Sequence, residues 1–245
     1  MAAPEDLREQ SPQREHAGER ALEDDVEVER EEGAPEPQEL DPETRARRDA
    51  AMRLIRRFGD PVLRATALPV ERFDDALHQE LQRMGELMHD ALGVGLAATQ
   101  LGVLHRALVF RTDPEEPVTA LVNPVLEWTS DELEIAEEGC LSLPGVHVEV
   151  ERPAAVRVRG RDGAGEELLI EAEGLRARVI QHEIDHLDGV LILDRISRQA
   201  RKEAMRAMRE AQTGEGAAAR EPREPQDPAS REPREAEGSA QREPA

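Results

Sequence analysis

The stretch His182-Glu183-Ile184-Asp185-His186 lies within residues 175–187, which are predicted to form a helix that ends just before Gly189. Positions four apart lie on the same face of a helix, so His182 and His186 offer two imidazoles to one metal ion. Glu183 follows the first histidine, where its carboxylate can reach a water molecule on that metal. The pattern is typical of metal-assisted hydrolysis, but it leaves the third ligand, the metal and the substrate open.

The composition of the 245-residue chain excludes several classes of protein. Its formal net charge of -22 disfavours a general binder of DNA, RNA or anionic membranes, because such binding needs clustered positive charge. The single cysteine, Cys140, excludes an internal disulfide framework. No apolar run approaches the roughly 18 to 20 residues of a membrane span, and the N-terminus has no secretory signal pattern. These features predict a cytoplasmic protein without a membrane partner.

Charge and proline content divide the chain into three regions. Residues 1–50 hold 17 acidic and 7 basic side chains with almost no large apolar ones, so they are predicted to be disordered. Residues 212–245 are also predicted to be disordered, because the recurring tripeptide Arg-Glu-Pro places proline too densely for helix or sheet. Residues 51–211 are numerous enough to form one catalytic domain with its own core.

The predicted elements of the middle region are strands segregated from a few helices, a pattern that indicates an α+β fold. An amphipathic helix is predicted over 74–92 and a last helix over 198–211, with Ser197 as its N-cap. A hairpin turn is predicted at Asp162-Gly163-Ala164-Gly165. The predicted strands are residues 101–110, 119–122, 146–150, 155–159 and 167–170.

Cys140 is a candidate for the third metal ligand. A catalytic zinc-type site usually has three protein ligands and one open position. Cys140 lies in Glu137-Glu138-Gly139-Cys140-Leu141-Ser142-Leu143-Pro144-Gly145, whose glycines and proline indicate a tight loop between strands. A lone cysteine is more often a small buried apolar residue, so this segment alone leaves both interpretations open.

A third segment, Gly93-Val94-Gly95-Leu96-Ala97-Ala98-Thr99-Gln100, follows the amphipathic helix directly. Its small residues let the backbone approach another group closely, and Gln100 adds a neutral amide donor. The alternative is a helix end followed by a packed turn. A nucleotide-binding loop is disfavoured, because no predicted strand precedes the glycines.

Together, residues 93–100, 138–142 and 181–186 resemble the three signature motifs of peptide deformylases, in the same order. The resemblance extends to residues 58–64 and to Val122-Asn123-Pro124, and it covers roughly residues 51–211 but neither tail. The resemblance implies antiparallel β-sheets packed around a central metal-binding helix.

The resemblance also implies an activity, the removal of the formyl group from the N-terminal formyl-methionine of newly synthesised proteins, with release of formate. By the same resemblance, Cys140, His182 and His186 hold one divalent metal ion, which is expected to be Fe²⁺, with Zn²⁺, Ni²⁺ or Co²⁺ able to replace it. A water molecule on the metal would attack the formyl carbon, and Glu183 would act first as general base and then as general acid.

The resemblance assigns the remaining site residues to the oxyanion and to the peptide. The Gln100 amide and the Leu141 backbone N–H would stabilise the oxyanion that forms on the formyl oxygen. The substrate peptide would lie extended beside Val94, Gly95 and Gly139, where pairing with main-chain groups tolerates varied side chains.

The roles of four other features follow less directly from the sequence. Arg178 lies four residues before His182 and either edges a methionine pocket or is solvated. His147 follows the cysteine segment, so it could line the cleft, whereas Asp185 is expected to make structural hydrogen bonds. The basic residues of 198–210 belong to a solvated helix or dock on ribosomal RNA.

Two competing functions are weighed against deformylation. The first is a zinc peptidase that cleaves internal peptide bonds. It is disfavoured because such enzymes usually complete their site with His or Glu rather than with cysteine. The second is a degenerate relative retained as a ribosome-binding module, which is disfavoured because every expected catalytic residue is present.

Overall fold

A computed structural model describes residues 40–218 of the chain. Its helices are α1 (Pro42–Met52), α2 (Asp75–Asp90), α3 (Gly174–Leu187) and α4 (Arg198–Ala218). Its strands are β1 (Gly95–Ala97), β2 (Ala107–Phe110), β3 (Thr119–Thr129), β4 (Leu133–Cys140), β5 (Leu143–Pro153), β6 (Ala155–Arg161) and β7 (Glu167–Glu173). Within residues 40–218, no helix is long and apolar enough to cross a lipid bilayer.

The strands form two antiparallel sheets. Five of them pair in the order β1-β2-β3-β6-β7, and β4 and β5 form a separate two-stranded sheet. Strand β1 is therefore an edge of the larger sheet. Helices and antiparallel strands are segregated along the chain, so the predicted α+β class is confirmed.

The larger sheet carries apolar side chains on both faces. In β2, Ala107 and Val109 belong to the core under α2, whereas Leu108 and Phe110 belong to the core around α3. This alternation is the two-residue period of a strand, here buried on both sides. Helix α3 is consequently packed against the sheet at the centre of the domain, as the resemblance implied.

Three predicted turns and caps are confirmed. Gly189 adopts φ of +73° after α3, and its N–H lies 3.2 Å from the His186 oxygen. The Ser197 hydroxyl accepts a hydrogen bond from Ala200 N at 3.1 Å, which caps α4. Gly165 N donates to Asp162 O at 3.1 Å in the turn between β6 and β7.

Two strand predictions need correction. Residues 101–106 are not a strand, because a short 3-10 helix spans Ala98–Leu101 and Gly102 turns the chain at φ of +84°. Strand β4 was not predicted, because residues 137–145 were expected to form a tight loop, whereas only Leu141 and Ser142 separate β4 from β5. Its exposed positions include Leu133 and Ile135 and its buried ones include Glu138, so it lacks the alternating apolar pattern of a half-buried strand.

Helix α1 contradicts the predicted disorder of residues 42–50. Asp41 caps the helix by accepting from Glu43 N and Thr44 N, and Pro42 occupies the first turn, where its missing N–H costs nothing. The helix ends in buried Ala51 and Met52. Apolar anchoring at one end therefore orders a polar segment.

The C-terminal helix also exceeds its predicted range, since α4 continues through residues 212–218. Buried Ala204 and Met208 pack this helix against β5. Residues 1–39 and 219–245 lie outside the described residues, so disorder there stays a prediction.

Candidate metal and catalytic site

Three predicted ligand residues from two elements form one cluster. Cys140 Sγ lies 3.2 Å from His186 Nε2, and the ligand atoms of Cys140, His182 and His186 all lie within 4.8 Å of one another. The two imidazole rings on α3 are 5.0 Å apart between centroids. The helix repeat thus brings both histidines to the cysteine from one face.

Local backbone structure fixes the position of Cys140. It is the last residue of β4, and the pairing register with β5 shifts between Gly139 and Cys140. The chain then reverses within Leu141 and Ser142, and Phe58 N donates to Ser142 O at 2.9 Å. The thiol therefore belongs to a chain reversal that a backbone hydrogen bond holds in place.

His182 is oriented by a carboxylate. Its Nδ1 lies 3.0 Å from Glu138 Oε2, which leaves Nε2 available to a metal. Burial alone would lower the pKa of His182, but hydrogen bonds to Cys140 and Glu138 raise this pKa well above its usual value. The surroundings therefore favour positive charge between Cys140 and Glu138, as a metal cation would supply.

His186 is kept in the neutral form that binds metals. Burial lowers the pKa of His186 well below its usual value, and the nearby His182 acts in the same direction. Its Nδ1 is buried without a hydrogen-bond partner among the described residues. A neutral imidazole is the form that coordinates a divalent ion.

Buried arginines bind the Glu138 carboxylate and form an ion network with it. Arg152 contacts both Glu138 oxygens, at 2.6 and 3.0 Å, and Asp185 Oδ2 at 2.9 Å. Arg178 donates to Glu138 Oε1 at 2.9 Å. Burial would raise the pKa of Glu138, but hydrogen bonds from His182 and Arg152 outweigh it and hold the pKa at about 2. Glu138 is therefore ionised and rigidly placed behind His182.

Glu183 lies in the same cleft as the ligand cluster, in the space that Gly95 leaves open. A Cβ atom at Gly95 would lie 2.9 Å from the Glu183 Cγ and Cδ atoms, so any larger residue would displace the carboxylate. Glu183 Oε2 is buried without a partner among the described residues. Burial raises the pKa of Glu183 to about 7, against the opposing effect of His182. Such a carboxyl group is suited to proton transfer near neutral pH.

The side chain of Gln100 points its amide nitrogen at the cluster. Its Oε1 accepts from Ala97 N at 2.9 Å, which fixes the orientation of the amide. Its Nε2 lies 3.2 Å from Ser142 Oγ and 3.9 Å from Cys140 Sγ. The amide is thus a preorganised donor beside the Cys140 cluster, because it needs no rearrangement to act there.

A cleft of about 590 Å³ opens at this cluster. Val94, Gly95, Gly139 and Leu141 line it together with Cys140 and Glu183. One wall is β1, the edge strand of the larger sheet, and another is β4, which within residues 40–218 pairs only with β5. An extended peptide can add to such an edge through main-chain hydrogen bonds.

The structure decides most of the interpretations that the sequence left open. Arg178 is buried, and its guanidinium also donates to Val150 O at 2.8 Å, so the solvated alternative is wrong. Asp185 makes structural bonds to Arg152 and Arg195, as expected. His147 lines the cleft.

Arg152 is the main residue that sequence reasoning missed. It lies on β5 two residues after buried Val150, on the apolar face of that strand. An arginine at a buried position of an apolar pattern is a signal for a buried acidic partner. The partner itself, Glu138, follows only once β4 is recognised as a strand.

The donor set fits a divalent transition metal. One thiolate and two imidazoles, with room left in a cleft, are the ligands of an open catalytic site. The buried, unpartnered Glu183 Oε2 adds an acceptor of the kind that a water molecule at such a site requires.

Comparisons with known proteins give one consistent family. Residues 52–202 match the family model described as polypeptide deformylase. A peptide deformylase of Parafrankia is 45% identical over 162 residues, which cover 66% of this chain and 88% of that protein. One from Thermotoga neapolitana is 51% identical over 142 residues, 58% of this chain and 85% of that protein.

Solved structures agree with the sequence matches. A peptide deformylase from Legionella pneumophila superimposes with a TM-score of 0.63 at 38% identity, covering 66% of this chain and 96% of that one. A peptide deformylase from Synechococcus elongatus, solved in complex with actinonin, gives a TM-score of 0.60 at 44% identity over 62% of this chain and 85% of that one.

Proposed function

Because this chain belongs to the polypeptide deformylase family of hydrolases, we propose that it removes the formyl group from N-terminal formyl-methionine by a metal-assisted hydrolysis at the Cys140 cluster. The observation that carries this proposal is the meeting of Cys140, His182, His186 and Glu183 in one cleft. The substrates are nascent polypeptides that still bear the formyl group.

Cys140, His182 and His186 are proposed to hold the metal ion of this metal-dependent family. When bound, a divalent ion would act as a Lewis acid and lower the pKa of a water ligand towards neutrality. We propose Fe²⁺ as the native ion, and the donor set is also compatible with Zn²⁺, Ni²⁺ and Co²⁺. Elemental analysis after anaerobic purification tests this choice, and one equivalent of zinc instead of iron would contradict it.

Glu183 is proposed to transfer the proton. It would take one proton from the attacking water as the water oxygen bonds to the formyl carbon, and would deliver it to the amine nitrogen as the carbon–nitrogen bond breaks. The products are formate and a free N-terminal amine. The pKa of about 7 supports this role, since the group can both accept and release a proton near neutral pH.

Gln100 and the Leu141 backbone N–H are proposed to stabilise the oxyanion. The fixed orientation of the Gln100 amide supports this role, because its Nε2 faces the cluster. Leu141 directly follows Cys140, so its N–H belongs to the same chain reversal as the thiol. A neutral donor is needed here, since a carboxylate would repel the oxyanion.

The peptide is proposed to lie between the two open strand edges, β1 and β4. Val94 and Gly95 on one side and Gly139 on the other would provide main-chain contacts. The Val94 carbonyl already accepts from Arg111 N at 2.9 Å, which fixes this edge before any peptide arrives. Recognition of the backbone would accommodate varied residues after the methionine.

A formate assay separates this function from that of an internal peptidase. Metal-loaded protein is incubated with formyl-Met-Ala-Ser, acetyl-Met-Ala-Ser and Met-Ala-Ser. Formate release from the first peptide, with all peptide bonds intact in the three, is the expected result. Cleavage of the Met–Ala bond in any of them would contradict the proposal and favour the peptidase.

Docking of α4 on ribosomal RNA is proposed as a second property, which would place the enzyme in the cytoplasm beside the nascent chain. The exposed basic side chains of α4 include Arg198 and Lys202, while buried Ala204 and Met208 anchor the helix to β5. Replacing Arg198 and Lys202 by glutamate should weaken co-sedimentation with ribosomes at low salt. Unchanged co-sedimentation would remove this proposal.

A further inference from the structure

Helix α1 lies almost entirely outside the stretch that matches the family model, which begins at residue 52. Even so, it borders the candidate active site. Leu40, Arg48 and Met52 line the same cleft as Cys140 and Glu183. One wall of the cleft is therefore supplied by a segment that the family pattern does not include.

This wall is held in a fixed position. Ala51 and Met52 belong to the core cluster that contains Met84 and Met88 of α2. Arg48 lies four residues before Met52, on the same face of the helix, and it is half-buried whereas Arg47 and Asp49 are exposed. The burial pattern thus directs the Arg48 side of α1 towards the cleft.

The Arg48 guanidinium has no partner in the described part of the chain. The neighbouring Arg45 donates to Leu40 O at 3.3 Å, and Arg47 donates to Thr44 Oγ1 at 3.3 Å. Among residues 40–210, Arg48 makes neither a hydrogen bond nor an ion pair. A half-buried cation without a counter-charge gains free energy from an anionic group that enters the cleft.

The proposed path of the peptide runs through the cleft that Arg48 lines. In the proposed function the formyl group lies at the Cys140 cluster, and an extended peptide advances about 3.3 Å per residue. Helix α1 packs against α2, and Ala91, Gly93 and Val94, which lead from α2 into the edge strand β1, line the same cleft. We therefore expect residues after the methionine to pass the wall of the cleft that carries Arg48.

We propose that Arg48 is a specificity residue, whose guanidinium binds a carboxylate side chain that follows formyl-methionine in the substrate peptide. This inference rests on the proposed deformylase function and adds a preference for acidic nascent chains. Two parallel N–H groups of a guanidinium match a carboxylate, whereas the amide of glutamine lacks the charge and a lysine would be repelled.

The test compares pairs of formylated tetrapeptides on the full-length, metal-loaded protein. Each pair carries glutamate or glutamine at the second, third or fourth position, with alanine and serine elsewhere. At one of these positions the wild type should show about a three-fold higher kcat/KM for glutamate, mainly through KM, in keeping with a partly solvated ion pair. The preference should shrink as salt is added.

Arg48→Gln should bring this glutamate-to-glutamine ratio close to one, and Arg48→Glu should invert it. The ratio compares two peptides on the same protein sample, so partial misfolding cancels. Arg47→Gln is the matched control, because it removes the same charge from an exposed position of α1 and should keep the wild-type ratio.

Two results would overturn the inference. One is a wild type that does not distinguish glutamate from glutamine at any of the three positions. The other is a preference that survives in Arg48→Gln. Failure of the proposed function looks different, because the wild type would then release no formate from either member of any pair.

Discussion

Glu138 connects His182, a proposed metal ligand, to two buried arginines, Arg152 and Arg178. An ionised carboxylate of this kind holds the imidazole in one orientation and raises its basicity towards a metal. The arginines in turn keep the carboxylate charged inside the protein. A carboxylate that sequence reasoning left without a role is therefore a positioning residue for the ligand cluster.

Removing the Glu138 charge should destabilise the fold strongly. Glu138→Gln leaves the buried guanidinium of Arg152 with Asp185 alone, and the loss of one partner of such a network costs about 3–5 kcal/mol. Urea unfolding of the metal-free proteins measures the effect. The exposed neighbour Glu137→Gln is the control and should change stability by less than about 0.5 kcal/mol. Equal stabilities of the two variants would contradict the network's role.

The ionisation of Glu138 also predicts how the stability of the protein changes at low pH. The pKa of Glu138 is about 2 in the fold against an ordinary 4.5, so its contribution is present above pH 4.5 and is lost as the pH falls towards 2. This shift corresponds to about 3 kcal/mol. The stability difference between wild type and Glu138→Gln should therefore narrow between pH 4.5 and 2. A difference that stays constant over this range would show that ionisation is irrelevant.

Gln100→Glu tests the oxyanion donor alone. The variant keeps an oxygen for Ala97 N but replaces the amide that faces Cys140 by a carboxylate. A loss of about 10²–10³ in kcat is expected, with the metal retained. Ser142→Ala, which removes only the hydroxyl partner of the amide, should lose far less. Comparable kcat values for Gln100→Glu and wild type would rule out this role.

At the scale of elements, α1 is ordered by a few contacts at its C-terminal end. Met52 is buried in the core cluster under α2, while Leu54, two residues later, is 47% exposed. Met52→Ala should cost about 2–5 kcal/mol, because it leaves a cavity beside α2. Leu54→Ala is the matched control and should cost much less. Chemical denaturation measures both, and similar values would mean that α1 is only loosely attached.

Elements that form because of nearby residues could be predicted from the sequence, whereas elements that depend on contacts with distant segments could not. Helix α3 and the turn between β6 and β7 were predictable, because caps, glycines and apolar spacing lie within the segments themselves. Strand β4 was not, since its buried Glu138 is accommodated by Arg152 of β5 and Arg178 of α3, which lie 14 and 40 residues away in sequence. Helix α1 was missed for the same reason, because its order comes from packing against α2.

The candidate site likewise contains residues that short motifs identify and residues that only contacts between distant segments identify. The clustering of Cys140, His182 and His186 was predictable because each motif carries its chemistry in a short stretch, and the structure brings Cys140 to His186 across 46 positions of sequence. Arg152 was not predictable, because its partner depends on strand pairing. The position of Arg48 at the cleft likewise could not be predicted, because it depends on how α1 packs.

In the molecule as a whole, much of the net negative charge lies outside the described residues. Residues 1–39 hold 14 acidic and 4 basic side chains, so much of the net charge of -22 lies beyond the catalytic fold. All the proposed catalytic and metal-binding residues lie between Gln100 and His186. Catalysis should therefore not require either end of the chain.

A chain trimmed to residues 40–218 should unfold at the same temperature as the full chain and release formate from formyl-Met-Ala-Ser at the same rate. Calorimetry and the formate assay test this prediction. A second truncation that begins at residue 53 is the informative comparison, because it removes α1 with Met52 and should be less stable. Loss of activity in the 40–218 chain would show that an end segment takes part in the site.

Proton transfer by Glu183 is tested most directly by single-turnover formate release from formyl-Met-Ala-Ser by wild type and Glu183→Gln, with the metal measured in both. We expect one metal ion per chain in each protein, and a rate lower by about 10²–10⁴ in the variant, because the proton acceptor beside the Cys140 cluster is gone. A Glu183→Gln rate within a few-fold of wild type, at equal metal content, would show that Glu183 does not transfer the proton.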